Sequence, residues 1–140
     1  MMRVVIDTNC LRASIPPQSP FYQLYLDFQA LKFEWWVSTE ILLEYDEIIS
    51  NTYSPRTAQI VLHQLAIAPH VIFAEPAFRW QLIEEDPDDN KFADLALSCN
   101  ADYLVSNDTD FNIFKTLIFP PLRVITLKDF LSILSKIETA

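Results

Sequence analysis

The sequence predicts an α/β domain built on a central, mostly parallel sheet, and three observations predict it. The runs Arg3-Val4-Val5-Ile6 and Tyr103-Leu104-Val105 are near-continuously apolar, as strands covered on both faces are. Between them lie segments with helical periodicity, such as Phe92, Leu95, Ala96 and Cys99 at i, i+3, i+4 and i+7. Strands and helices that alternate require crossover connections, hence parallel pairing with helices on both faces.

Taken in order, residues 3–7 form the first strand. Pro16, Pro17 and Pro20 mark a loop, and residues 21–32 read as a helix. Residues 33–37 make a short aromatic strand, after which Ser38 or Thr39 caps a helix running to Ile49. Pro55 opens another helix through Ala66, and residues 71–74 form a short strand. A helix starts near Asp89 and stops at Asn100. Residues 103–106 and 123–126 are strands on either side of a short helix starting at Phe111, and residues 127–137 close the chain as a helix. No repeat or linker divides the chain, so one domain over 1–140 is expected.

At 140 residues and 51% hydrophobic, the chain can bury a sizeable core without disulfides or a structural metal. Cys10 and Cys99 lie in apolar surroundings without CxxC or Cys/His spacing, and read as free thiols in a reducing compartment. No basic segment precedes an apolar signal core, and no apolar run approaches the ~20 residues that span a bilayer. A cytoplasmic protein with no membrane association is expected. Glycine is absent, so left-handed turn positions fall to Asn or Asp, with Asn51, Asn100 and Asn107 the expected substitutes.

Four carboxylates stand where the chain changes element. Asp7 closes the first strand, Glu44 interrupts an apolar helical stripe, Asp89 opens a helix, and Asp108 follows a strand end. In α/β folds, strand ends and helix N-termini converge on one crevice. Acids gathered there repel one another, and a hard divalent cation, Mg²⁺ or Mn²⁺, removes that cost and supplies catalytic power. A metal-dependent nuclease is the reading these residues support.

Each acid also has a plainer reading. Asp7 in Asp7-Thr8-Asn9 could start a turn by bonding its own backbone, yet it ends a buried strand. Glu44 lies one turn from Ile41 and Ile48 and so faces inward, whereas Asp46 and Glu47 diverge toward solvent. In Asp86-Pro87-Asp88-Asp89-Asn90-Lys91, Asp89 is taken as ligand and Asp88 as helix cap or supporting acid; Asp94 points away from Asp89 and is expected to be exposed. Asp108 is placed in the site with Asp110 as cap of the short helix, and Ser106 positions water or metal or bonds within its strand. His63 and His70, remote in sequence, read as surface or packing residues. The net charge of −9 runs against the basic surface typical of nucleic-acid binders, so positive charge must be borrowed; metals together with Arg12, Lys91 and Lys115 are candidates, and those three residues read equally as solvated surface.

Asp7-Thr8-Asn9, the helix Ser38 to Tyr45, the run Asp86 to Phe92 and the segment Ala101 to Phe111 together resemble the successive motifs of PIN domains, in order and at family-like spacing. The resemblance covers nearly the whole chain and is closest to the toxin components of prokaryotic toxin-antitoxin systems; even Val124 to Leu131 is similar to that subgroup's last strand and helix. It implies a three-layer α/β/α PIN-like fold and a ribonuclease that hydrolyses RNA phosphodiesters with metal-activated water. Asp7, Glu44, Asp89 and Asp108 stand on the family's acidic positions, supported by Thr8, Asn9, Asp88, Ser106 and Asp110. It also implies a cognate antitoxin protein and a homodimer formed through the helices at 21–32 and 38–50. Asn100, Asn107 and Ser106 depart from the commoner Gly, Gly and Thr, but Asn tolerates a left-handed backbone and Ser keeps the hydroxyl.

Two other classes compete. A phosphoacceptor domain also carries an Asp after its first strand but needs a lysine at a later strand end, where this chain has Ser106-Asn107-Asp108. A catalytically degenerate PIN-like module, kept for metal or protein binding, is the closer rival, and retention of all four acids argues against it.

Overall fold

Strand β1 (Arg3–Ile6) lies at the centre of a five-stranded, all-parallel sheet, and the rest of the architecture follows from that placement. The structure, a computed structural model, describes residues 1–83, 87–117 and 119–137; Asp86 therefore lies outside the described residues. The other strands are β2 (Glu34–Val37), β3 (Val71–Phe73), β4 (Tyr103–Val105) and β5 (Val124–Ile125), in spatial order β3-β2-β1-β4-β5. The helices are α1 (Thr8–Ser14), α2 (Gln23–Gln29), α3 (Thr39–Thr52), α4 (Pro55–Ile67), α5 (Asn90–Ser98) and α6 (Leu127–Ser135). Short 3-10 helices cover Pro87–Asp89 and Thr109–Lys115.

The chain steps from β1 outward to β3, then returns across the sheet to β4 and β5. Right-handed crossovers taken in opposite directions send helices to opposite faces, which gives the three layers. Val4, Val5, Ile6, Leu104 and Val105 are buried, as both-faces coverage demands. On α3, Ile41, Tyr45 and Ile49 form the buried stripe; the Tyr45 hydroxyl donates to Ile6 O at 2.5 Å and accepts from Trp35 Nε1 at 3.3 Å. Those bonds set the rotation of α3 and place Glu44, the preceding residue, over the C-terminal end of β1.

Most element boundaries agree with the sequence reading. The Ser38 side chain accepts from Ile41 N and caps α3, and Pro55 opens α4. The exception is α1, which occupies Thr8–Ser14 where no helix was expected. Among the expected left-handed positions only Asn100 qualifies, at φ 52°; Asn51 lies inside α3, and among the described residues Leu31 (φ 58°) and Gln81 (φ 52°) are the other left-handed positions. Cys10 and Cys99 are buried free thiols, and burial pushes them up to about 12 and about 11 respectively, so both stay protonated. His63 is exposed, while His70 is buried with its ring 4.6 Å from that of Phe28. Among the described residues no helix is long and apolar enough to cross a membrane.

Candidate metal centre

The order of strands reverses between β1 and β4, and their shared C-terminal edge is where an open α/β sheet offers its crevice. Ile6 pairs with Val105, so the next residues on each strand, Asp7 and Ser106, stand level. The Ser106 hydroxyl donates to Asp7 Oδ2 at 2.7 Å and accepts from Asp108 N at 3.0 Å. Asp7 occupies the N-cap position of α1 with extended backbone but makes no side-chain cap bond, leaving its carboxylate to the crevice.

Asp7 is only 4% exposed. Burial raises its carboxyl above the ordinary value, the Ser106 bond opposes the shift, and the nearby charges of Glu44 and Asp108 push it further up. Asp108 faces a second group as well. One carboxylate oxygen from each of Asp89, Asp108 and Asp110 lies within 4.8 Å of those of the other two, the arrangement that a cation with several oxygen ligands requires. Asp89 is buried; Asp108 and Asp110 are half-buried.

Glu44 lies outside this trio, near Asp7, and is engaged differently. Thr8 Oγ1 donates to its Oε2, and Lys91 Nζ lies 3.0 Å from its Oε1. Lys91 thus contributes positive charge at the rim, while Arg12 is half-buried on α1 and Lys115 is exposed. Asn9 faces solvent.

Three acids stand otherwise than the sequence alone suggests. The 3-10 helix begins at Thr109 rather than Phe111, so the capping position falls on Asp108, whose Oδ1 accepts from Asp110 N at 2.9 Å; Asp110 is not the cap and its carboxylate joins the trio instead. The N-cap position of α5 is Asp89 and lacks a side-chain cap bond, so Asp88, exposed in the preceding turn, does not cap it. Asp94 is buried rather than exposed, because the segment 76–83 wraps α5 and Trp80 N donates to Asp94 Oδ1 at 3.0 Å. Its direction away from Asp89 leads into a strap of chain, not into water; burial raises its carboxyl and the Trp80 bond holds the rise in check.

Comparison with protein families matches residues 3–110 to the PIN domain. The chain belongs to the PIN domain family. The match runs from the first residue of β1 through Asp110, so every acid of the crevice lies inside it. Among solved structures, the fold is shared with VapBC2 from Rickettsia felis bound to a DNA fragment from its promoter, at TM-score 0.61 and 20% identity, covering 89% of this chain and 98% of that one. It is shared also with DNA-bound VapBC from Salmonella typhimurium, at TM-score 0.61 and 16% identity, covering 91% and 99%. A search of curated proteins found no match. At these identities the structural likeness speaks for the PIN fold alone.

Proposed function

We propose that this PIN domain is a ribonuclease dependent on Mg²⁺ or Mn²⁺ and the toxin component of a toxin-antitoxin pair. The observation that carries the reading is the convergence of Asp89, Asp108 and Asp110 within 4.8 Å at the switch point, with Asp7 beside them. Carboxylate oxygens suit hard divalent cations, and acids gathered at one crevice repel one another, so the donor set fits such an ion. Asp7, Glu44, Asp89 and Asp108 are the proposed catalytic and metal-holding set, and Asp110 now stands with them. When bound, the cation supplies charge for a phosphate oxygen and acidifies water for attack on phosphorus.

The chain's own residues do the positioning. Ser106 fixes the Asp7 carboxylate and the backbone of Asp108 together, tying the β1 and β4 ends to one geometry. Thr8 and Lys91 hold Glu44 at the edge, where it can accept a proton from water. Lys91 and the metal then offset the negative field that a chain of net charge −9 presents to RNA.

The pairing with an antitoxin protein rests on the sequence resemblance to toxin components and on fold likeness to VapBC assemblies. The homodimer rests on exposed apolar side chains on α2 and α3, Leu26 and Leu43 among them; light scattering reporting a monomer across micromolar concentrations would refute it. A non-catalytic binding module gains support from one feature, the engagement of both Glu44 oxygens by Thr8 and Lys91. Incubation of the purified protein with diverse single-stranded RNAs decides between them. Cleavage in Mg²⁺ or Mn²⁺ that a chelator abolishes supports the nuclease; metal binding with every RNA left intact favours the module.

A further inference from the structure

A hollow of about 400 Å³ adjoins the acidic crevice, a volume within the range of small-ligand sites. Asn90, Lys91 and Asp94 of α5 form one side, Glu40 of α3 another, and the strap 76–83 the third. The strap is pinned at two points. Trp80 N bonds Asp94 at 3.0 Å, while Ile83 N donates to Asn90 Oδ1 at 3.0 Å and Ile83 O accepts from Asn90 Nδ2 at 3.1 Å. Between the pins Gln81 is exposed and left-handed, at φ 52°, a backbone state that a non-glycine residue adopts only when its surroundings impose it.

The hollow and the crevice share a wall. Lys91 lines the hollow and reaches Glu44 at 3.0 Å, and Asp88 at its edge precedes Asp89 of the acid trio. Pro76, Ile83 and Pro87 give it apolar surface suited to a flat ring. Three carboxylates line it, those of Glu40, Asp88 and Asp94, against two cations that are already engaged, the Arg79 guanidinium by Glu40 at 2.9 Å and the Lys91 ammonium by Glu44 at 3.0 Å, and Gln81 offers an amide. Such a lining repels a phosphate and favours a neutral ring that presents an amino group.

We infer that this hollow is a base subsite, taking an unpaired nucleobase with an exocyclic amino group, cytosine or adenine rather than uracil, from the strand whose phosphate lies at the acids. The inference deepens the ribonuclease reading and rests on it for the strand. Gln81 and Glu40 act as specificity-determining groups, reading the edge of a base that unpaired RNA leaves available.

Nucleosides test it without phosphate or metal. Cytidine, adenosine and uridine are titrated into the isotope-labelled full chain in chelator, following the side-chain amides of Gln81 and Asn90. Cytidine and adenosine are expected to move these signals at concentrations at least fivefold lower than uridine. Gln81→Gly, which relaxes the left-handed backbone while removing the amide, and Glu40→Gln should each weaken cytidine binding at least fivefold while the remaining spectrum stays folded. Equal response to uridine, no response to any nucleoside, or undiminished binding in both variants overturns the subsite. The failures separate cleanly: RNA cleavage in Mg²⁺ without nucleoside selectivity sinks the subsite alone, and selective nucleoside binding without cleavage of any RNA sinks the nuclease while the base pocket stands.

Discussion

Asp27 and Asp7 are both buried, at 2% and 4% exposure, and the chain treats their charges in opposite ways. At the end of α2, Asp27 Oδ1 meets Lys32 Nζ at 3.2 Å and Gln23 Nε2 at 3.0 Å. Leu31, left-handed at φ 58°, turns the chain so that Lys32 reaches back, and the same ammonium lies 3.4 Å from Leu134 O of α6. That acid is neutralised locally and ties two helices together. Asp7 has a serine hydroxyl and the neighbouring charges of Glu44 and Asp108. A buried acid completed by its own chain is structural; buried acids that lean on one another ask for a cation from outside. Asp94 belongs with Asp27, since a backbone N–H satisfies it.

The largest way to break this contrast is in catalysis. Asp7→Asn, Glu44→Gln, Asp89→Asn and Asp108→Asn should each lower RNA cleavage at saturating Mn²⁺ by ~100-fold or more, with double variants far from additive because the acids act as one unit. Gel-resolved cleavage by folded variants reads this directly. Asp46→Asn, exposed on α3, should stay close to wild type. Loss in that control with the four retained would transfer the chemistry elsewhere.

Next comes stability at the other acid. Asp27→Asn should cost about 2 kcal/mol in denaturant unfolding, somewhat below the full cost of breaking a deeply buried pair because Lys32 keeps some contact with water. Metal affinity of the folded fraction should not change. An unchanged unfolding midpoint would mean that the pair is ornamental.

A smaller effect sharpens the same contrast with pH. Folded Asp7 holds its proton more tightly than the unfolded chain does, so in chelator the native state binds more protons just above the ordinary value of 3.8. Stability of the metal-free protein should therefore fall as pH rises from that value through the raised one. Asp7→Asn lacks this loss, so its melting temperature should equal or exceed that of wild type at neutral pH, with the difference shifting against the variant in acid. A large drop for Asp7→Asn at pH 7 would make Asp7 structural like Asp27. Smallest of all, Leu31→Gly should raise stability by about 0.5 kcal/mol, the relief of a left-handed side chain less the added freedom of the unfolded glycine. Thermal unfolding that shows a loss would mean that Leu31 packing outweighs its backbone cost.

Much of the framework was legible because its signals are local. The apolar runs of β1 and β4, the Ser38 and Pro55 helix starts and the α5 periodicity each depend on a few adjacent residues. Parallel pairing then brought Asp7 and Asp108 to one edge, as strand-end logic requires. What escaped the sequence was set by tertiary contact. Helix α1 is only about two turns long, set between Asp7 and Pro16 without a side-chain cap to announce it. The burial of Asp94 depends on a strap contributed from 14 residues upstream, and the Lys91–Glu44 pair joins α5 to α3. Asp110 would cap a helix that began at Phe111, but the 3-10 helix begins two residues earlier, a small boundary shift that exchanges the duties of Asp108 and Asp110.

Calorimetric titration of Mn²⁺ into wild type, Asp108→Asn and Asp46→Asn tests the central claim most directly. Asp108 is the acid that faces both Asp7 and the Asp89–Asp110 pair. Wild type and Asp46→Asn should bind Mn²⁺ alike, and Asp108→Asn at least ~10-fold more weakly, a loss no smaller than that caused by removing an outer-shell partner of a ligand. Equal affinity in all three proteins would contradict a metal centre at the switch point.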